Sequence, residues 1–275
     1  MSPHRASAAF TDRWDHFRFE VEARVATVTF DRPDRLNALT FEAYADLRDL
    51  LTELALRDDV AVLVITGEGR GFCSGGDVQD IIGALQKMDS KGLLEFTRMT
   101  GAVVQAMREL QHPIIASING VAAGAGAVIA LASDLRVMAD TATFQFLFTR
   151  VGLAGADMGA AYLLPRMVGF GRANELLLLG EPVEAAVAVA MGLAMKTVPL
   201  DHLATEASAL AETLAAGPSW AIGATKSLLT REQDMNLESA IELEAWAQAL
   251  LMTSEDHREF YRAFTEKRPP RWRGR

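Results

Sequence analysis

Two short stretches of this chain combine residues whose backbone could do chemistry. They are GRGFCSGGDVQDII, from Gly69, and NGVAAGAGAVIALA, from Asn119. Each follows an apolar strand-like run with a glycine-dense turn and then opens a helix. Glycine and alanine leave the backbone N–H groups of such a turn uncovered, and a helix start adds the positive end of its dipole. Two N–H groups aimed at one point form an oxyanion hole, a seat for a carbonyl oxygen that gains negative charge during a reaction. Either turn taken alone is equally open to a plainer reading, in which glycine only permits close packing.

An oxyanion needs a partner that moves a proton. One carboxylate open to that role is Asp157, in GLAGADMGAAYLLP. It reads either as a proton-moving group or as the N-cap of a helix starting near Met158. Asp77 and Asp80 bracket another helix start and read as capping or solvated groups. Tyr162 reads as packing, Cys73 as a small filler, and Arg150 as a pocket cation or an exposed side chain. Other motifs are missing: no G-x-G-x-x-G opens a helix, GATKS at Gly223 lacks the spacing of a phosphate loop, and FCSGG is no serine-hydrolase elbow. His4, His16, His112, His202 and His257 show no ligand spacing, so no metal site is expected.

The elements that must position these groups follow from periodicity. Residues 17–33 alternate as a hairpin, 39–56 carry apolar residues at helical spacing, and 60–67 form a continuous buried strand. A long amphipathic helix over 91–110 precedes the strand PIIASI, so strand and helix alternate as in an α/β domain with largely parallel strands. From Ala160 onwards the apolar runs read as helices, apart from a short strand in MKTVPL. The expected organisation is a flexible N-terminal tail over 1–15, a core over 16–200 and a helical oligomerisation region over 201–275.

Composition bounds the partners. With 275 residues, half of them apolar, the chain can bury a full core, and a net charge of −9 offers no basic face to nucleic acid. The tail EKRPPRWRGR, from Glu266, is the local exception: a solvated end, or cations for an anionic ligand. A single cysteine, Cys73, excludes an internal disulfide and points to a reducing compartment, and no run approaches the roughly 20 apolar residues of a membrane span. A cytoplasmic protein without membrane or nucleic-acid partners is expected.

The set RPDRLNALT, GRGFCSGGDV, PIIASINGVAAGAGAVIALASDLRV, LPRMVGFGRANELLLLGEPV and AFTEKRPPRW resembles the crotonase family, the enoyl-CoA hydratase/isomerase superfamily, over about residues 17–272. The resemblance implies a spiral of ββα units, a C-terminal helical region that assembles a homotrimer or a hexamer, and a coenzyme A thioester bound as substrate, with no permanently bound cofactor. It assigns the two oxyanion N–H groups to Gly76 and Ala125. It also assigns coenzyme A contacts to Arg35, Leu36, Phe72, Cys73, Ser74 and Lys267. The two glutamates of the family's hydratases fall on Val128 and Phe148, an apolar pair that can neither activate water nor protonate carbon. Asp157 resembles the single aspartate of some isomerases in the family if one residue is inserted in its loop; counting strictly from Gly152 puts Ala156 there instead. The resemblance therefore implies an acyl-CoA enzyme that stabilises an enolate, foremost an isomerase-type proton shuttle. Hydration or related C–C chemistry on an unusual enoyl-CoA is the second reading, and a non-catalytic acyl-CoA-binding relative the third.

Overall fold

The computed structural model describes residues 10–275. It opens with β1 (Arg18–Glu22) and β2 (Val25–Phe30), an antiparallel hairpin whose two turn residues, Ala23 and Arg24, both have positive φ. That is the turn whose twist matches the twist of the strands. Alternation along β2 buries Ala26, Val28 and Phe30.

Next come α1 (Phe41–Leu54), shorter than the helical spacing predicts because Thr40 caps it by accepting the Ala43 N–H, and β3 (Val62–Gly67). β4 (Gly71–Cys73) leads through a π-turn over Val78–Ile82 into the single turn α2 (Gly83–Leu85) and the long α3 (Ser90–Glu109). The pattern then repeats. β5 (Ile114–Ile118) and β6 (Val121–Ala123) precede α4 (Ala125–Ala132), and β7 (Leu135–Ala139) and β8 (Thr143–Gln145) precede α5 (Ala160–Val168) and α6 (Phe170–Leu179). β9 (Val183–Glu184), α7 (Ala185–Ala190) and β10 (Lys196–Val198) complete the strands.

The strands form two sheets, a six-stranded one in the order β1-β2-β3-β5-β7-β10 and a four-stranded one in the order β4-β6-β8-β9. In each repeat the first strand joins the large sheet and the second joins the small one. Each of the ββα units that start at β3, β5 and β7 thus turns a corner between the sheets, which gives the expected spiral. Every pairing from β2 to β10 in the large sheet is parallel, and the central strands are mostly apolar because both faces are covered.

The C-terminal helices are α8 (Leu200–Ala215), α9 (Ser219–Arg231), α10 (Leu237–Leu251) and α11 (Glu255–Thr265). α8 lies on the large sheet, its buried Ala211 and Ala215 in one cluster with Val62, Val64 and Ile115. α10 buries none of its residues. Of the tail expected over 1–15, residues 1–9 lie outside the described residues. Residues 10–15 run along the core, where Thr11 N–H donates to Glu53, Asp12 pairs with Arg57 at 2.6 Å, and Trp14 stacks on Phe17. No helix among the described residues is long and apolar enough to cross a membrane.

Candidate active site

The loop between β3 and β4 is held from both sides by two buried amides. Asn37 follows Leu36 in a left-handed pair, with φ of 58° and 50°. Its side chain accepts the Arg32 N–H at 2.9 Å and donates to Glu68 O at 3.0 Å and Gly71 O at 2.7 Å. Asn119, at the end of β5, donates to Gly69 O at 2.8 Å and to the same Gly71 O at 3.1 Å, while its oxygen accepts from Gly67 N–H. Sequence reasoning passed over both. The available signal was an asparagine beside each glycine-bearing strand end, in RLNAL and ING.

With that loop fixed, Leu39 forms a parallel bridge to Gly76: its N–H donates to Gly75 O at 2.8 Å and its carbonyl accepts the Asp77 N–H at 2.9 Å. The bridge uses the neighbours of Gly76 and leaves the Gly76 N–H without an acceptor among the described residues. Gly75, at φ 95°, packs against the second turn so closely that a Cβ there would lie 3.2 Å from Ala125 N. Gly124 has φ 52° and ψ −123°, a conformation that requires glycine, and hands the chain into α4. Gly126 then lies flat on β4, where a Cβ would sit 2.1 Å from Cys73 O. Close packing and unpaired donors are therefore the same arrangement: the glycines press the two turns together, and the Ala125 N–H, first in α4, also has no acceptor among the described residues.

α4 is buried on all sides, and the Arg136 guanidinium closes its other end by donating to the carbonyls of Leu131, Ser133 and Leu193. Burial lowers the pKa of Arg136 to about 10. Both ends of the helix are thus tied to the core, with its positive dipole end directed at the turn.

Val128, on α4, and Phe148, in a 3-10 turn over Leu147–Val151, are buried in one apolar cluster with Ala125, Tyr44, Ile81 and Met158. Asp157 is half-buried and Ala156 exposed. The N-cap reading of Asp157 fails: α5 begins two residues later than expected, at Ala160, with Gly159 as its N-cap. Instead, one carboxylate oxygen of Asp157 accepts the Met158 N–H at 2.9 Å, with Met158 itself at a left-handed φ of 49°. Burial raises the Asp157 pKa, and the Met158 N–H offsets this only in part.

The other candidates are occupied. Asp77 caps the π-turn, accepting from Gln79 and Asp80 N–H and pairing with Arg32 at 3.1 Å. Tyr162 donates to Asp234 and carries Arg166 over its ring, and Arg150 pairs with Glu181. Cys73 is fully buried, which pushes its pKa up to about 12.

The segments matched to coenzyme A contacts meet: Ser74 N–H donates to Leu36 O at 3.0 Å, and the Ser74 hydroxyl to Arg35 O at 3.3 Å. The side chains of Phe72 and Cys73 point into the core, Phe72 edge-on to Phe30, so this segment offers outward only its backbone and Ser74. Lys267 is exposed just past α11. Around it the basic tail folds back on acids. Arg268 pairs with Glu259 and Glu266, Arg273 and Arg275 pair with Glu255, and Asp256 accepts the Arg273 and Gly274 N–H groups.

Comparison with known proteins decides the family. The enoyl-CoA hydratase/isomerase family model matches residues 20–275. The chain belongs to the enoyl-CoA hydratase/isomerase family. Within that family it is 36% identical over 260 residues to the 1,2-epoxyphenylacetyl-CoA isomerase of Escherichia coli (strain K12), covering 93% of this chain and 97% of the relative. It is 38% identical to a probable enoyl-CoA hydratase of Rhodobacter capsulatus, covering 94% and 98%. Among solved structures, a Streptomyces coelicolor A3(2) protein provisionally named an enoyl-CoA hydratase is 60% identical and superposes over the whole of both chains with a TM-score of 0.98. An enoyl-CoA hydratase/isomerase of this sequence is an enzyme with a crotonase fold, and its relatives carry both reaction names.

Proposed function

We propose that this family member binds an acyl-CoA thioester with its carbonyl oxygen between the Gly76 and Ala125 N–H groups, and that Asp157 carries a proton between two carbons of the acyl group. The observation that carries this reading is the pair of N–H groups without acceptors among the described residues, with the half-buried carboxylate of Asp157 acting electrostatically on Tyr44, whose hydroxyl borders Gly76; Val128 and Phe148, to which the resemblance assigns the hydratase glutamate positions, are apolar and buried. For a 3-enoyl thioester, Asp157 takes a proton from carbon 2. The electron pair of that C–H bond spreads through the double bond to the thioester oxygen, where the two N–H groups hold the charge. The Asp157 carboxyl, whose proton exchanges with solvent, then delivers a proton to carbon 4, leaving a 2-enoyl thioester. Such a hole contributes roughly 3–4 kcal/mol per donor to the transition state, and a carboxylate whose pKa is raised by burial is a stronger base, which takes a proton from carbon more readily than an exposed one.

Coenzyme A enters as part of the substrate. The backbone near Arg35, Leu36, Phe72, Cys73 and Ser74 lines its path, and Lys267 meets a phosphate. The bare α10 surface supports assembly as a homotrimer or a dimer of trimers, and the single-cysteine composition supports a cytoplasmic site of action.

Proton exchange tests the reading. Incubation in heavy water with saturated, 2-enoyl and 3-enoyl-CoA thioesters is expected to give deuterium at carbon 2 and a shifted double bond, with Asp157→Asn slowing both at least 100-fold. Full exchange in that variant would remove Asp157 from the chemistry, and a mass gain of one water would replace isomerisation by hydration.

A further inference from the structure

One polar group at the candidate site is used neither by the fold nor by the shuttle. Tyr44 lies one turn into α1 and is 2% exposed, yet its hydroxyl makes no hydrogen bond among the described residues. Its ring is held edge-on by Phe96, with centroids 6.1 Å apart. A Cβ built on Gly76 would lie 3.7 Å from the Tyr44 hydroxyl oxygen and 3.5 Å from Ile81 Cδ1. The hydroxyl therefore stands beside the residue whose N–H opens onto the hole. The chain carries it there: Leu39 is bonded to the neighbours of Gly76, Thr40 caps α1, and Tyr44 follows within one turn.

Tyrosines this buried nearly always find a partner for the hydroxyl, and a ligand that closes over this one without offering an acceptor leaves it unpaired. Phe96 packs on the ring and Ile81 borders the same face of Gly76, both apolar, and the ionisable groups that act on the phenol are Cys73 and Asp157. Burial first, and those two groups after it, raise its pKa well above the ordinary value, so it stays a neutral phenol and can donate.

We infer that Tyr44 is a substrate-contacting, specificity-determining residue: its hydroxyl donates to an oxygen carried on carbon 2 or 3 of the acyl group, so the site selects oxygen-bearing acyl chains over plain hydrocarbon ones. A hydrocarbon chain leaves the phenol unpaired, whereas an oxygen beside the thioester satisfies it. A buried hydrogen-bonding group discriminates in this way against an analogue that lacks its partner. The inference rests on the thioester reading of the hole, but it needs binding alone and no particular reaction.

The test is calorimetric. Dissociation constants are measured for the wild type and Tyr44→Phe with butyryl-CoA, 2-hydroxybutyryl-CoA and 3-hydroxybutyryl-CoA, with a thermal melt to confirm that the variant folds. The expected result is that Tyr44→Phe leaves butyryl-CoA within about twofold and weakens at least one hydroxyacyl thioester about tenfold, the worth of one neutral hydrogen bond. Equal weakening of all three would overturn the inference and make the phenol a donor to the shared thioester oxygen. No weakening of any would overturn it too, with the thioester reading left standing. If the wild type binds none of the three, the thioester reading fails and this inference falls with it.

Discussion

At the scale of single residues, two aspartates of the candidate site are driven in opposite directions by their surroundings. Backbone N–H groups of Asp80 and Gln79, with Arg32, hold the Asp77 pKa below the usual carboxylate range, so Asp77 stays ionised and structural. Burial holds that of Asp157 above it. Environments that split like groups in this way separate their roles. Between its unfolded and its raised folded pKa, the native protein holds a proton on Asp157 that the unfolded chain has lost, so stability falls as pH rises through that window. A base must be ionised, so exchange activity rises over the same interval. The expected pH–rate profile has an acid limb centred above the ordinary aspartate value of about 3.9. Asp157→Asn is expected to abolish that limb and to raise the melting temperature at pH 7, since the amide mimics the neutral form. A lower melting temperature in the variant would show that the ionised carboxylate is held favourably after all.

At the scale of elements, the site is a contact between two turns, and Gly126 sets their spacing. Alanine there would place a methyl group 2.1 Å from Cys73 O, backbone that cannot swing away, so α4 must shift off β4. The cost is about 1–3 kcal/mol, as for other overpacked sites. Because Ala125 moves with the helix, we expect Gly126→Ala to lose far more exchange activity than thermal melting alone would suggest; activity falling only in step with stability would mean that the hole does not depend on this spacing. These two turns were legible in the sequence because glycine-dense strand ends are local signals. So were β2, β3, α1, α3 and β5, whose periodicity runs for five residues or more. β4, β6 and β8 have only three residues each, too few for a pattern, and their partners in the small sheet are distant in sequence. Tyr44 was illegible for a related reason. On a helical wheel it is one more core residue, and only the fold of α1 against Gly76 shows its hydroxyl without a partner.

At the scale of the whole molecule, apolar surface is concentrated on the last helices. Trp246, 70% exposed, stands on α10 with Leu237, Ile241 and Leu250, and Phe260 and Phe264 stand on α11. A helix pair this apolar buries itself against other copies when it can. Light scattering is expected to give three or six times the mass of one chain, and Trp246→Glu to shift the population towards smaller species while the far-ultraviolet spectrum of the fold persists. A monomeric wild type would overturn the trimer reading. A different consequence follows from the grip of Asn119 on the β3–β4 loop. Asn119 is followed by Gly120, the dipeptide in which a backbone nitrogen most easily attacks the side-chain amide, expelling ammonia to give a cyclic imide that water then opens to an aspartate or isoaspartate. In the fold that amide is held on Gly67, Gly69 and Gly71. Each excursion to the unfolded chain releases it. Chemical ageing of this enzyme in storage should therefore track how often it unfolds, and the molecules damaged in that way lose one of the two clamps on the β3–β4 loop.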